Sequence, residues 1–126
     1  MNKKILIVDD EPHIRALLEQ TFEDLEDLGV EILLAKDGEE GLALAVNQSP
    51  EIIFLDIMMP KLNGYDACRQ IKQQTNCYVI LLTAKGQETD RQKGLEAGAD
   101  EYVFKPFDPD AILSKAISIL HIDTGI

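Results

Sequence analysis

A chain of 126 residues, 45% apolar and 28% charged, has the length and composition of one globular domain rather than two. Twelve Lys and Arg against twenty-three Asp and Glu give a formal charge of -11, which disfavours a basic grip on nucleic acid or on an anionic membrane. No apolar run approaches the roughly 20 residues of a membrane-spanning helix, and Ile5 to Val8, behind Lys3 and Lys4, stops at Asp9-Asp10, too short for an export signal; a cytoplasmic protein is expected.

Ile5 to Val8 reads as the first strand. After it, Ile14, Leu17, Leu18, Phe22, Leu25 and Leu28 recur every three or four residues, with Pro12 in the first turn and Gly29 past the end, which predicts the first helix. Glu31 to Ala35 is the second strand, followed by a helix over about Glu39 to Asn47 carried by Leu42, Ala45 and Val46. The third strand, Ile52 to Leu55, leads to a helix from about Tyr65 to Gln74 whose apolar side is Tyr65, Cys68 and Ile71. The fourth strand, Tyr78 to Leu82, precedes a helix from about Gln87 to Ala97 that has Leu95 as its only large apolar residue, so it is expected to be the least firmly seated element. Tyr102 to Phe104 is the fifth strand, and Pro109 to Leu120, with Ile112, Leu113, Ala116, Ile117 and Leu120, the fifth helix. Most strands are apolar at consecutive positions, the mark of a parallel sheet covered on both faces. Five strand-helix repeats predict a three-layer α/β sandwich with right-handed crossovers. The domain is expected over 1–120, with 121–126 as a tail or the start of a linker. Cys68 and Cys77 lack metal or redox spacing and read as small buried thiols; His13 and His121 have no ligand spacing around them.

Ligands of an open parallel sheet sit at the carboxyl ends of the strands. There the chain places Asp9-Asp10, Asp56, Thr83 and Lys105-Pro106. Each alone has an ordinary explanation: Asp9 or Asp10 as a cap for the helix at Pro12, Asp56 or Thr83 as loop partners, Lys105 as a solvated charge. Together, three carboxylates, a hydroxyl and an ammonium on one rim call for a cation, and hard oxygen ligands suit Mg²⁺, with Mn²⁺ its near equivalent. A carboxylate beside Mg²⁺ and a lysine has the parts to attack a phosphoryl group and form an acyl phosphate.

These residues, read with Val8-Asp9-Asp10-Glu11-Pro12, Asp37-Gly38-Glu39-Glu40-Gly41, Leu55-Asp56-Ile57-Met58-Met59-Pro60 followed by Gly64, Leu82-Thr83-Ala84, Gly98-Ala99-Asp100-Glu101-Tyr102 and Lys105-Pro106-Phe107, extend over nearly the whole chain. The chain resembles a response-regulator receiver domain of bacterial two-component signalling, of the chemotaxis-regulator type. The resemblance implies a flavodoxin-like fold of strand order 2-1-3-4-5. It implies that Asp56 is the phosphoacceptor, that Asp10, Asp56 and the Met58 carbonyl bind Mg²⁺ directly, and that Asp9 acts through water. It also implies that Lys105 pairs with Asp56 and later with the phosphoryl group, before a cis bond to Pro106, and that Thr83 and Tyr102 switch. Met58 and Lys85 occupy its variable positions near the site, and Ala84 leaves room for the phosphoryl group. The chain is then no enzyme in the ordinary sense but a phosphoacceptor signalling domain that catalyses its own phosphotransfer and slow dephosphorylation.

Its partners would be a sensor histidine kinase or phosphotransfer protein, and a downstream target or effector domain. Thr83 leads into the weakly anchored fourth helix, so the surface of helix four, strand five and helix five is expected to carry the output, including a homodimer through that surface. Arg91, Lys93, Asp100, Glu101 and Lys115 give it both charge signs. On their short strand, Tyr102 and Phe104 are expected to point one toward the site and one into a helix layer. A dehalogenase-type phosphatase would need an Asp at Met58, a flavodoxin a Ser/Thr/Gly-rich loop at Asp9-Asp10, and a nucleotide hydrolase a Gly-Lys-Ser/Thr loop that the chain lacks. The alternative from another class is a receiver-like interaction module that works without phosphorylation; retention of all five site residues argues against it.

Overall fold

The computed structural model describes residues 3–59, 61–84 and 88–122, with backbone alone at 84 and 88–91. Pro60, Lys85, Gln87, the tail from 123 on and the side chains of Ala84 and Arg91 lie outside the described part of the chain. The strands are β1 (Lys3–Val8), β2 (Val30–Ala35), β3 (Ile52–Asp56), β4 (Tyr78–Ala84) and β5 (Glu101–Lys105). All pair in parallel, in the order β2-β1-β3-β4-β5. The helices among the described residues are α1 (Pro12–Thr21), α2 (Glu23–Glu26), α3 (Gly38–Gln48), α4 (Gly64–Gln74), α5 (Glu88–Glu96) and α6 (Pro109–Leu120). None is long and apolar enough to cross a membrane.

The consecutive apolar residues of the strands feed two separate cores, as the period of two requires. Leu6, Val8, Ile53, Leu55, Val79 and Leu81 face α3 and α4 through Ala45, Ala67, Cys68 and Ile71. Ile5, Ile7, Ile52, Phe54, Ile80 and Leu82 face α1, α2 and α6 through Leu18, Phe22, Leu25, Ile112, Ala116 and Leu120. Phe22 and Phe54 meet with ring centres 5.3 Å apart. Both cysteines are buried thiols, and burial pushes Cys68 up to about 11, which keeps it unreactive.

Two expectations about helices are settled by the packing. The expected first helix is two, so the domain has six helices among its described residues and not five. Phe22 leaves helical geometry at φ -96°, ψ 4°. A continuous helix would carry Glu23, Asp24 and Glu26 near its negative end; the break makes them the first turn of α2, where acids are favoured. Thr21 loosens the same point by donating its hydroxyl to the Leu17 carbonyl at 2.7 Å. The weak fourth helix is α5: Leu95 is 59% exposed, and among its described side chains only Gly94 is buried, close enough to β4 that a Cβ would stand 3.1 Å from Leu81.

Candidate functional site

Because every strand runs the same way, the residues that end β1, β3, β4 and β5 come to one rim. Asp9, just past β1, is fully buried. Its amide donates to the Ala35 carbonyl at 3.1 Å, and its Oδ1 accepts from the Glu11 amide at 2.9 Å. The N-cap of α1 is Glu11, without a side-chain cap bond, so neither Asp9 nor Asp10 is spent on capping. Asp56 ends β3 at 5% exposure. Lys105 ends β5 opposite Ala84, before a cis bond to Pro106. Its ammonium donates to Asp9 Oδ2 at 3.0 Å and to Asp56 Oδ1 at 3.2 Å.

One cation therefore serves two buried acids. Burial, then the charge of Asp9, raises Asp56 to about 6 against the pull of Lys105. Burial acts to lower Lys105, but the hydrogen bond to Asp9 and the charges of Asp56 and Asp9 outweigh it and hold its pKa above the ordinary lysine value. Asp10 is exposed, and the carboxylates of Asp9, Asp10 and Glu11 lie within 4.8 Å of one another. Asp56 stands outside that cluster, joined to Asp9 through Lys105. Among the described residues, close carboxylates with one ammonium are a hard-oxygen donor set short of positive charge, suited to a divalent cation and to charge building on an oxyanion.

Of the other expected site residues, Thr83 is buried in β4, opposite Phe104. The Met58 side chain, two residues past Asp56, is 79% exposed. Tyr102 lies half-buried on β5, its ring edge-on to Phe104 at 5.6 Å and 85°. Residues two apart on a strand share a face, so the expectation that Tyr102 and Phe104 point to different sides is wrong. Both line a groove of about 460 Å³ with Gly94, Leu95 and Ala99.

One neighbour of the site carries no mark in the sequence pattern, and a second stands in a quoted motif with no role assigned to it there. Arg15, one turn into α1, donates Nη1 to the Asp9 carbonyl at 2.7 Å. Glu11 joins the acidic cluster, with His13 Nε2 at 3.1 Å from its carboxylate. The available signal was helical: a residue in the first turn can reach back over the loop that precedes it.

Comparison with known proteins agrees with this geometry. The response regulator receiver domain family matches residues 5–117. The chain is 46% identical over 121 residues to the alkaline phosphatase synthesis transcriptional regulatory protein PhoP of Bacillus subtilis, covering 95% of this chain and 49% of that protein. The chain thus spans about half the length of the curated relatives it matches. Among solved structures it is similar to the response regulator DrrB, a Thermotoga maritima OmpR/PhoB homolog, at 35% identity and TM-score 0.82, over 96% of this chain and 54% of that one. It is similar also to the BeF3-activated DrrB receiver domain, at 33% identity and TM-score 0.84, over 97% and 100%. The chain belongs to the response-regulator receiver-domain family of two-component signalling.

Proposed function

We propose that Asp56 is the phosphoacceptor and that this rim transfers a phosphoryl group onto it from the phosphohistidine of a sensor kinase or phosphotransfer protein. The observation that carries the reading is the Lys105 ammonium shared between buried Asp9 and Asp56 beside the Asp10-Glu11 acids. An Asp56 carboxylate oxygen attacks phosphorus, the P–N bond breaks, and the imidazole leaves with a proton; water later attacks the same phosphorus, the acyl O–P bond breaks, and inorganic phosphate leaves the regenerated carboxylate. Receiver domains bind Mg²⁺ in their acidic pocket, and the donor set here fits it. Asp10, Asp56 and the Met58 carbonyl would hold the ion, with Asp9 acting through water; when bound, it neutralises charge on the phosphoryl oxygens. Lys105 orients the same oxygens, and Thr83 donates to one of them after transfer.

The added charge, roughly -1.5 to -2, pulls Thr83 and Lys105 into new contacts. Tyr102 turns inward, and the surface of α5, β5 and α6 carries the output to a partner or to a second copy of the chain. Residues 1–120 form the receiver, and 121–126 are a tail or the start of a linker. The curated relatives are named as transcriptional regulators of about twice this length, which supports an effector domain beyond the receiver, all of it cytoplasmic. In amide exchange with and without beryllium fluoride, the mimic alters protection between Ala84 and Leu120; unchanged protection refutes the output assignment.

The decisive experiment is intact mass after incubation with acetyl phosphate. The expected result is a gain of one phosphoryl group that requires Mg²⁺ and is absent in Asp56→Asn. A mutant that still labels on the peptide carrying position 56 overturns the assignment.

A further inference from the structure

The loop after β3 is held by contacts that the phosphotransfer scheme leaves unused. α3 begins at Gly38, and a Cβ there would stand 1.9 Å from the Leu62 carbonyl oxygen, against the 3.4 Å at which ordinary contact begins. Gly64 closes the other end: a Cβ there would stand 2.3 Å from the Asp56 carbonyl oxygen and 2.6 Å from the Ile57 Cα. The Gly64 amide donates to the Ile57 carbonyl at 2.9 Å. Asp37, 5% exposed, caps α3 by accepting from the Glu40 amide at 2.9 Å through Oδ1. Its Oδ2 lies 3.7 Å from Lys61 Nζ. Lys61 has a φ of 69°, a left-handed geometry that a residue with a Cβ keeps only where its surroundings hold it.

We infer that Asp37 and Gly38 are positioning residues for the reaction at Asp56: the start of α3 seats the backbone on either side of Leu62, and through it the segment from Asp56 to Met59. The inference rests on the reading of Asp56 as phosphoacceptor. Gly38 works by absence, since only a residue without Cβ lets the helix start touch the Leu62 carbonyl. Asp37 works by charge and by its cap. A carbonyl that is to face a metal beside the reacting carboxylate must keep its place, because a displacement of about 1 Å costs as much as 100-fold in rate.

The test compares Gly38→Ala, Lys61→Ala and Lys61→Arg with the wild type, at a temperature where circular dichroism finds each folded. Amide exchange of 57–64 is followed without metal, and the rate of mass gain with acetyl phosphate against Mg²⁺ concentration. Gly38→Ala is expected to label about tenfold more slowly, with faster exchange at 57–64 and unchanged exchange in α6. Lys61→Ala should show both effects at about twofold, and Lys61→Arg should restore them. A folded Gly38→Ala that labels at the wild-type rate, or labels slowly with unchanged exchange at 57–64, overturns the inference. Where Gly38→Ala does not fold, Lys61→Ala decides alone, and wild-type behaviour in both readouts overturns it. A wild type that takes no label removes the Asp56 reading and the reaction half of the inference with it, while the exchange readout still decides whether Gly38 seats the loop.

Discussion

The two rims of the sheet both gather charge, and they treat it in opposite ways. At the amino-terminal rim each acid has donors of its own. Asp100 Oδ2 accepts from Lys72 Nζ and from the Val79 amide, both at 2.8 Å. Glu101 takes Lys115 Nζ at 2.7 Å and the Tyr78 hydroxyl at 2.6 Å. The consequence is electrostatic quiet: the hydrogen bond to Glu101 pushes Tyr78 up to about 12, and although burial works against it, the bonds from Lys115 and Tyr78 hold Glu101 below the ordinary glutamate value. At the carboxyl rim the buried Asp9 and Asp56 share the ammonium of Lys105, with Asp10 and Glu11 beside Asp9. The amino-terminal rim is matched and serves the fold; at the carboxyl rim two buried acids divide one ammonium among the described residues, and such a local conflict is expected where a protein gives up stability for chemistry.

Removing the shared cation breaks the comparison most severely. Lys105→Ala leaves two buried carboxylates without their ammonium, and breaking a buried pair from one side costs about 3 kcal/mol. The variant is expected to stay folded but to unfold at lower urea in EDTA at pH 7.5, to regain much of the loss with Mg²⁺, and to uncouple phosphorylation from the Thr83 response. Adding Asp56→Asn should recover part of the loss, because the uncompensated charge is gone. Equal stability of wild type and Lys105→Ala in EDTA would show that the acids are not strained.

Asp100→Ala tests the matched rim. It deletes the acceptor for a backbone amide and for Lys72, so about 2 kcal/mol of stability should be lost. Labelling by acetyl phosphate at Asp56 should proceed at the wild-type rate, since this end of the sheet is remote from the reaction. A slowed reaction in folded Asp100→Ala would join the two rims functionally and end the contrast.

These rims were unequally legible in the sequence. Asp9, Asp56 and Lys105 stand out because each interrupts an apolar run, and strand direction alone sends all three to one end. The parallel sheet follows from the same runs. Arg15 and the Gly38-Leu62 contact do not stand out, since they depend on the path of loops whose local sequence has no period. The break at Phe22 was hidden because apolar spacing continues through it; the acids after it were the clue. The paired faces of Tyr102 and Phe104 were legible from the strand period and were misread. The partners at the amino-terminal rim are separated by up to 28 positions, and no local pattern links them.

Asp56→Asn sharpens the contrast through stability. The Asp56 carboxyl is raised from 3.8 to about 6, a value that already includes the attraction of Lys105. The folded chain thus holds a proton that the unfolded chain has released, and stability falls as pH rises between those values. A neutral Asn escapes this cost. In EDTA at pH 7.5 Asp56→Asn should be more stable than wild type by about 1–2 kcal/mol, with the gain disappearing as pH falls below the ordinary aspartate value. A variant less stable than wild type at pH 7.5 would mean that Asp56 is fully compensated.

The smallest effect belongs to Lys115→Ala. Glu101 keeps its bond from Tyr78 when Lys115 is removed, and both partners of the ion pair are about a third exposed, so water screens much of the attraction. A loss of about 0.5 kcal/mol is expected at neutral pH. Because Glu101 is held below the ordinary glutamate value in the folded chain, its contribution is present above that value and is lost as pH falls through the lower, folded one. The difference between wild type and Lys115→Ala should therefore shrink toward zero in acid, opposite to the baseline of Asp56, whose protonation in the same range relieves strain. Urea midpoints of both variants across that range separate a matched carboxylate from a strained one: the wild-type advantage over Lys115→Ala closes as Glu101 takes up its proton, and the advantage of Asp56→Asn closes as Asp56 takes up its own.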